Sequence, residues 1–307
     1  PYEVRFTPDY VSRPTIGYQR DNFGRGMFGG STVQLSDMLG NHTLLFSGMV
    51  NGRLSEAQVQ AVYINSARRW NWAVGVSQEP LFLYGNSSYD VGAGPNGYDQ
   101  LTERLFRYVF RQAFAQSIYP INQFRRVEMG VRFTNIGRSW LNLKTEIDPA
   151  GYPISYSESV TDTTGITFVQ PSIALVKDNS LFGYTSSFYG ERYRLEVAPS
   201  FGGWRFTQLL ADYRRYQMLV FPVSVSVRAM AIGRLGRDGG NFPSFLGYPD
   251  MIRGYTFQSY TAAECSAASA QSVGYSTGCP ELDQLLGTRI AVFNAEFRFP
   301  LVRTLTL

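Results

Sequence analysis

The sequence predicts an all-β fold, specifically an antiparallel transmembrane β-barrel, on three observations. Apolar and polar side chains alternate in successive segments along nearly the whole chain, several of them as long as the roughly 9–11 residues a membrane-crossing strand needs. Long polar connections alternate with short ones. No stretch approaches about 18 consecutive apolar residues, which excludes a membrane helix but not a barrel, whose apolar positions are interleaved with polar ones.

After a lead-in over 1–12, a first strand is expected near 13–20, opening a barrel domain that runs to 307. Residues 32–36 set Val33 and Leu35 against Thr32, Gln34 and Ser36, and Leu39-Gly40-Asn41 makes a tight turn. The next strand, 42–50, ends at Asn51-Gly52, a strong hairpin signal. Strands 57–65 and 70–78 pair around Ala67-Arg68-Arg69, with Trp70, Trp72, Val74 and Val76 on one face. A Gly-, Asn-, Ser- and Tyr-rich loop is expected over 79–100. In 102–118, Phe106, Tyr108, Phe110 and Phe114 recur at even spacing, the period of a strand.

After a turn at Tyr119-Pro120-Ile121-Asn122, strand 125–134 opposes Val127, Met129, Val131 and Phe133 to Arg126, Glu128, Arg132 and Thr134. A polar connection is expected over 138–162. Strand 164–176 carries Val169, Pro171, Ile173 and Leu175 on one face, although Pro171 removes a ladder donor. Strand 192–198 opposes Tyr193, Leu195 and Val197 to Arg192, Arg194 and Glu196; strand 204–216 opposes Leu209, Ala211 and Tyr213 to Gln208, Asp212 and Arg214. The clearest alternation flanks the longest connection, 235–285. Residues 221–231 oppose Phe221, Val223, Val225, Val227, Ala229 and Ala231 to Ser224, Ser226 and Arg228. Residues 289–299 oppose Ala291, Phe293, Ala295, Phe297 and Phe299 to Asn294, Glu296 and Arg298. With a further start at 302–307, the count is about 12–13 strands.

If neighbours run antiparallel, the long connections all fall at one end, as the exterior loops of an outer-membrane barrel do. The charged side chains opposite the apolar faces are then expected in the lumen: Arg126, Glu128, Arg132, Arg192, Arg194, Glu196, Arg214, Arg228, Glu296 and Arg298. In a β-sandwich those charges would meet solvent and the apolar faces would need a core of their own. Strand length and Tyr- and Trp-rich strand ends, which suit a membrane interface, favour the barrel.

Composition agrees. Aromatic residues make up 15% and charged residues only 17%, with 30 glycines, a balance that suits strands and turns. The net charge is +4, yet the arginines are scattered singly, so no nucleic-acid partner is expected. The chain starts at Pro1 without a signal peptide and reads as a mature or trimmed piece. Cys265 and Cys279 share one expected exterior loop; they are either free thiols or, as the reading favours, a bridge adding about 3 kcal/mol in an oxidising compartment. Two thiols without a nearby histidine fall short of a metal site, and no glycine spacing suggests a phosphate loop, so no cofactor is expected. The one histidine, His42, lies near Ser36-Asp37, a pair that ordinarily caps a turn, so catalysis is not expected.

Phe245-Leu246-Gly247-Tyr248 through Met251-Ile252-Arg253-Gly254-Tyr255 resembles the loop motif of the BamA/TamA/FhaC superfamily of outer-membrane assembly and secretion barrels. Asn294-Ala295-Glu296-Phe297-Arg298-Phe299-Pro300-Leu301 resembles the strand that follows that loop. The opening, from Tyr18 through Asp21-Asn22-Phe23-Gly24 to Ser36-Asp37-Met38-Leu39-Gly40, is similar to barrels fused behind periplasmic β-propellers.

The resemblance implies a bacterial outer-membrane barrel of about sixteen strands, of which about 12–13 are expected here; either the chain is trimmed or the barrel closes with fewer strands. It implies that the motif loop folds into the lumen, where Arg253 pairs with Glu296, Gly254 supplies close approach or a positive φ, and Tyr255 packs on the inner wall. The family's second acidic partner and its preceding periplasmic domains have no counterpart in this sequence. The implied function is insertion or passage of polypeptides; the alternative is a passive anchor for a fused or partner periplasmic domain. Implied partners are outer-membrane lipid and lipopolysaccharide, client polypeptides or a periplasmic domain.

Overall fold

A computed structural model describes residues 2–21, 24–52, 54–183, 186–241, 243–254 and 284–299. The protein is all-β and antiparallel. The strands are β1 (Thr7–Val11), β2 (Thr15–Asp21), β3 (Gly24–Ser36), β4 (His42–Gly52), β5 (Gln58–Asn65), β6 (Asn71–Asp90), β7 (Asp99–Pro120), β8 (Arg125–Ile147) and β9 (Pro153–Asp178). They continue with β10 (Leu181–Phe182), β11 (Ser187–Pro199), β12 (Phe201–Gly202), β13 (Thr207–Val220), β14 (Val223–Leu235), β15 (Ser244–Phe245), β16 (Leu286–Gly287) and β17 (Arg289–Arg298). Among the described residues fifteen strands share one sheet, with the main hydrogen-bonded order β1-β3-β4-β5-β6-β7-β8-β9-β11-β13-β14-β17. Sequential neighbours pair, as hairpin connections dictate.

Three sequence expectations are corrected. The connection placed at 79–100 is mostly strand, because β6 runs to Asp90 and β7 starts at Asp99. The one placed at 138–162 is also mostly strand, from β8 through Ile147 and β9 from Pro153. The physical cause of the second is a change of phase. Buried positions on β8 are even at Thr134 and Ile136 but odd at Ser139, Leu141 and Leu143. Between them the Arg138 guanidinium donates twice to the Thr164 carbonyl, at 2.9 and 2.6 Å. A period-2 reading that keeps one phase loses the strand there. Third, Asn51-Gly52 lies within β4 rather than in a turn. The lead-in also contains a strand not foreseen, β1, which pairs with β3 from Thr7↔Ser36 to Val11↔Val33.

The chain divides into two compact units, residues 1–115 with 132–169, and residues 116–131 with 170–307. In the first, Leu105, Leu141 and Leu143 form a buried cluster against Tyr156. Beside it Glu146 accepts from Ser155 Oγ at 2.6 Å and from Asn96 Nδ2 at 3.1 Å, which fixes the short connection between β6 and β7. Elsewhere in this unit Arg107 pairs with buried Glu56 and donates to Ser139 Oγ at 2.7 Å. Trp70, Trp72, Val74 and Val76 share the opposite, exposed face.

In the second unit β11, β13, β14 and β17 keep one register: Leu195↔Ala211, Ala211↔Ala231 and Ala231↔Ala291 make a continuous rung. Odd positions form the apolar face and even positions the ionic face, except where Lys177 and Arg215 meet Glu191 at odd positions. The burial is inverted relative to a soluble sheet. Phe293 is 72% and Phe297 61% exposed, whereas Glu128 on the ionic face is 7% exposed. Large apolar side chains thus lie open while carboxylates are covered, and a contiguous open apolar surface marks a face made for a partner or a membrane.

Candidate functional site

The site is built on the ionic face of β13, β14 and β17, where residues 244–254 fold down. β15 pairs with β16, and Leu246 N donates to the Leu285 carbonyl at 2.8 Å. Met251 N and Ile252 N both donate to the Tyr248 carbonyl, at 2.9 and 3.0 Å, closing a turn over Tyr248–Ile252. Phe245 and Tyr248 meet edge to face at 5.2 Å between ring centres. Leu246 and Met251 pack on Met230, Ile290 and Val292, an apolar island on the ionic face. The loop therefore has a greasy underside seated on a matching patch, which fixes where it lies before any charge is paired.

Polar ties complete the seat. Asn294 Nδ2 donates to the Met251 carbonyl at 2.9 Å, and Arg228 Nη1 donates to the Asp250 carbonyl. Arg253 meets Glu296 as a fork, Nε to Oε1 at 2.7 Å and Nη2 to Oε2 at 3.2 Å. Two parallel charge-assisted bonds fix direction as well as distance. Glu296 also accepts from Arg298 Nε at 2.9 Å and Nη2 at 2.7 Å. Arg298 reaches on to the Ser187 carbonyl at 3.0 Å and stands 5.8 Å over the Tyr216 ring. Gly254 has φ +100°, while an added Cβ would meet nothing within 4 Å. Its role is thus the left-handed conformation and not close approach.

One pattern recurs on this face. Arg126 pairs with Glu128, Arg194 with Glu196, Asp212 with Arg214, and Glu296 with Arg298, each an acid and an arginine two residues apart on one strand. Strand pleating puts positions i and i+2 side by side. Three of these acids take a further arginine: Glu128 from Arg194, Asp212 from Arg228 and Glu296 from Arg253. The pattern answers a register problem, since Arg192↔Arg214 and Arg214↔Arg228 stand directly opposite across strands. Like charges so placed repel, and Asp212 bridges the second pair. Arg192 turns to Asp178 at 3.6 Å, and Arg132, in the first unit, is exposed.

Asp212, Asn294 and the carbonyls of Asp250 and Met251 were not foreseen as parts of the seat. The two-residue acid–arginine spacing was the available signal for Asp212; the carbonyls leave none in a sequence. Tyr255, Cys265 and Cys279 lie outside the described residues, as does the strand expected at 302–307. Asp37 accepts from His42 N at 2.9 Å, so it caps the turn, and His42 Nδ1 shares a 2.7 Å bond with Tyr63 OH. Among the described residues no three metal-ligating side chains converge.

At the root of the long connection Asp238 accepts from Arg205 N at 2.8 Å. That bond first, and the neighbouring Arg237 second, hold its carboxyl below the usual carboxylate range.

No protein-family model, curated protein or solved structure matches the chain.

Proposed function

We propose that the chain is the membrane-spanning barrel of an outer-membrane protein of the BamA/TamA/FhaC kind, acting in the insertion or passage of polypeptides. The observation that carries this reading is the inverted sheet with a loop seated on its ionic side, where Arg253 meets Glu296. An apolar outer band over an ionic interior is what a lipid-embedded barrel requires. The motif loop would then lie in the lumen and set its shape. The chemistry is mechanical and electrostatic: an unpaired strand edge offers backbone donors and acceptors to an incoming strand.

The test is reconstitution into vesicles. The chain should migrate differently on gels before and after heating, as folded barrels do. It should also speed the folding of an unfolded small outer-membrane barrel supplied from outside. A heat-sensitive band with no such acceleration would leave the passive anchor standing. A chain that stays dissolved without detergent and shows no heat-dependent band would defeat both.

A further inference from the structure

The apolar face of β9, β11, β13, β14 and β17 is not level. It holds an open groove of about 760 Å³, within the range of about 300–1,000 Å³ typical of ligand sites. Its floor is the rung Ala211–Ala231–Ala291, continued by Gly233 on the next rung. Longer side chains rise beside it, Leu195 on the neighbouring β11 and Leu209 on β13 across from Gly233. At one end stands Arg289, exposed, the first residue of β17 and directly opposite Gly233.

Arg289 differs from the other cations of this surface, Lys177 and Arg215, which both pair with Glu191. It shares its face with Ala291, Phe293, Ala295 and Phe297, and no carboxylate among the described residues pairs with it. An arginine on a lipid-facing barrel surface costs roughly 2–4 kcal/mol at mid-membrane and about 0–1 near the interface. Its place at the strand end beside the long connection therefore puts it at headgroup depth. There a guanidinium fits a phosphate bidentately. Below it, small residues let an extended chain approach the backbone closely, and the longer side chains beside them add dispersion contacts.

We infer that this groove holds one acyl chain of an anionic, phosphate-bearing lipid, with Arg289 on its phosphate. The inference rests on the proposed membrane reading of the apolar face, and it adds a defined lipid site to a surface that would otherwise meet lipid at random.

The experiment uses the full chain in dodecyl maltoside micelles titrated with phosphatidylglycerol or phosphatidylcholine. Thermal unfolding is read from loss of the heat-sensitive gel band. Phosphatidylglycerol should raise the unfolding temperature saturably, and phosphatidylcholine should do so much less. Arg289→Gln should weaken the phosphatidylglycerol effect about tenfold, the loss of one charge-assisted pair. Ala231→Phe should fill the groove and remove the effect; if it does not fold, Ala291→Leu on β17 blocks the same rung.

Equal stabilisation of wild type and both variants would overturn the site while leaving the barrel intact. So would a change of oligomer size in Ala231→Phe without loss of the lipid effect, because the groove would then join copies of the chain. A chain with no heat-sensitive band would remove the membrane reading itself, and the lipid site with it.

Discussion

Two carboxylates on one face, Asp212 and Glu296, have the same local chemistry and different surroundings. Each has an arginine two residues along its own strand, and each takes a second arginine from elsewhere. For Asp212 that second arginine is Arg228, 13% exposed and also bound to the Asp250 carbonyl. For Glu296 it is Arg253, whose side chain is 75% exposed. The first cluster sits inside the sheet; the second ties a loop to it. An ion pair shielded from water is costly to break, because the partner left behind is stranded, whereas an open pair is replaced by water. The motif arginine is therefore the more recognisable residue and Asp212 the more consequential one.

The sharpest way to break that contrast is Asp212→Ala. It leaves Arg214 and Arg228 facing each other across β13 and β14 without a carboxylate between them. The expected loss is about 3–4 kcal/mol, measured by denaturant unfolding in micelles. A loss below that of Arg253→Ala would reverse the argument. Glu296→Ala comes next, at about 2 kcal/mol, since it strands partly covered Arg298 while Arg253 turns to solvent. Arg253→Ala should cost only about 0.5–1 kcal/mol of global stability. The loop stays seated by Leu246, Met251, Arg228 and Asn294. Its effect should appear locally, as faster proteolysis near residue 254. The swap Arg253→Glu with Glu296→Arg should recover only part of the loss, because a new arginine at 296 stands beside Arg298.

How much of this was legible in the sequence follows the same division. The alternation over 221–231 and 289–299 gave faces that the structure keeps: Phe293 and Phe297 are open, and Glu296 and Arg298 are on the other side. Period-2 burial is a local property, so it survives translation into three dimensions. What failed is what depends on continuity along a strand. At Arg138 the phase slips, and the polar residues beyond it lack the alternation that marks a strand. Likewise, Arg228 was expected only as an ionic-face charge, because its hold on a backbone carbonyl depends on how the loop descends. The acid–arginine spacing at 126/128, 194/196, 212/214 and 296/298 was visible, but its meaning became clear only when the register set arginines against one another.

The smallest effect concerns the root of the long connection, away from both clusters. Asp238 holds the backbone of Arg205, and that bond keeps its carboxyl ionised below its ordinary range. A folded-state pKa lowered in this way contributes stability at neutral pH that is fully present above the unfolded value of about 3.9 and is lost as pH falls through the lowered value. Wild type should thus lose more unfolding temperature than Asp238→Asn between about pH 6 and pH 3, and the gap should be modest because one backbone bond is its main source. The ion clusters are common to both proteins and cancel in the comparison. An equal decline in both would mean that the tie between Arg205 and Asp238 does not order this end of β13 and β14.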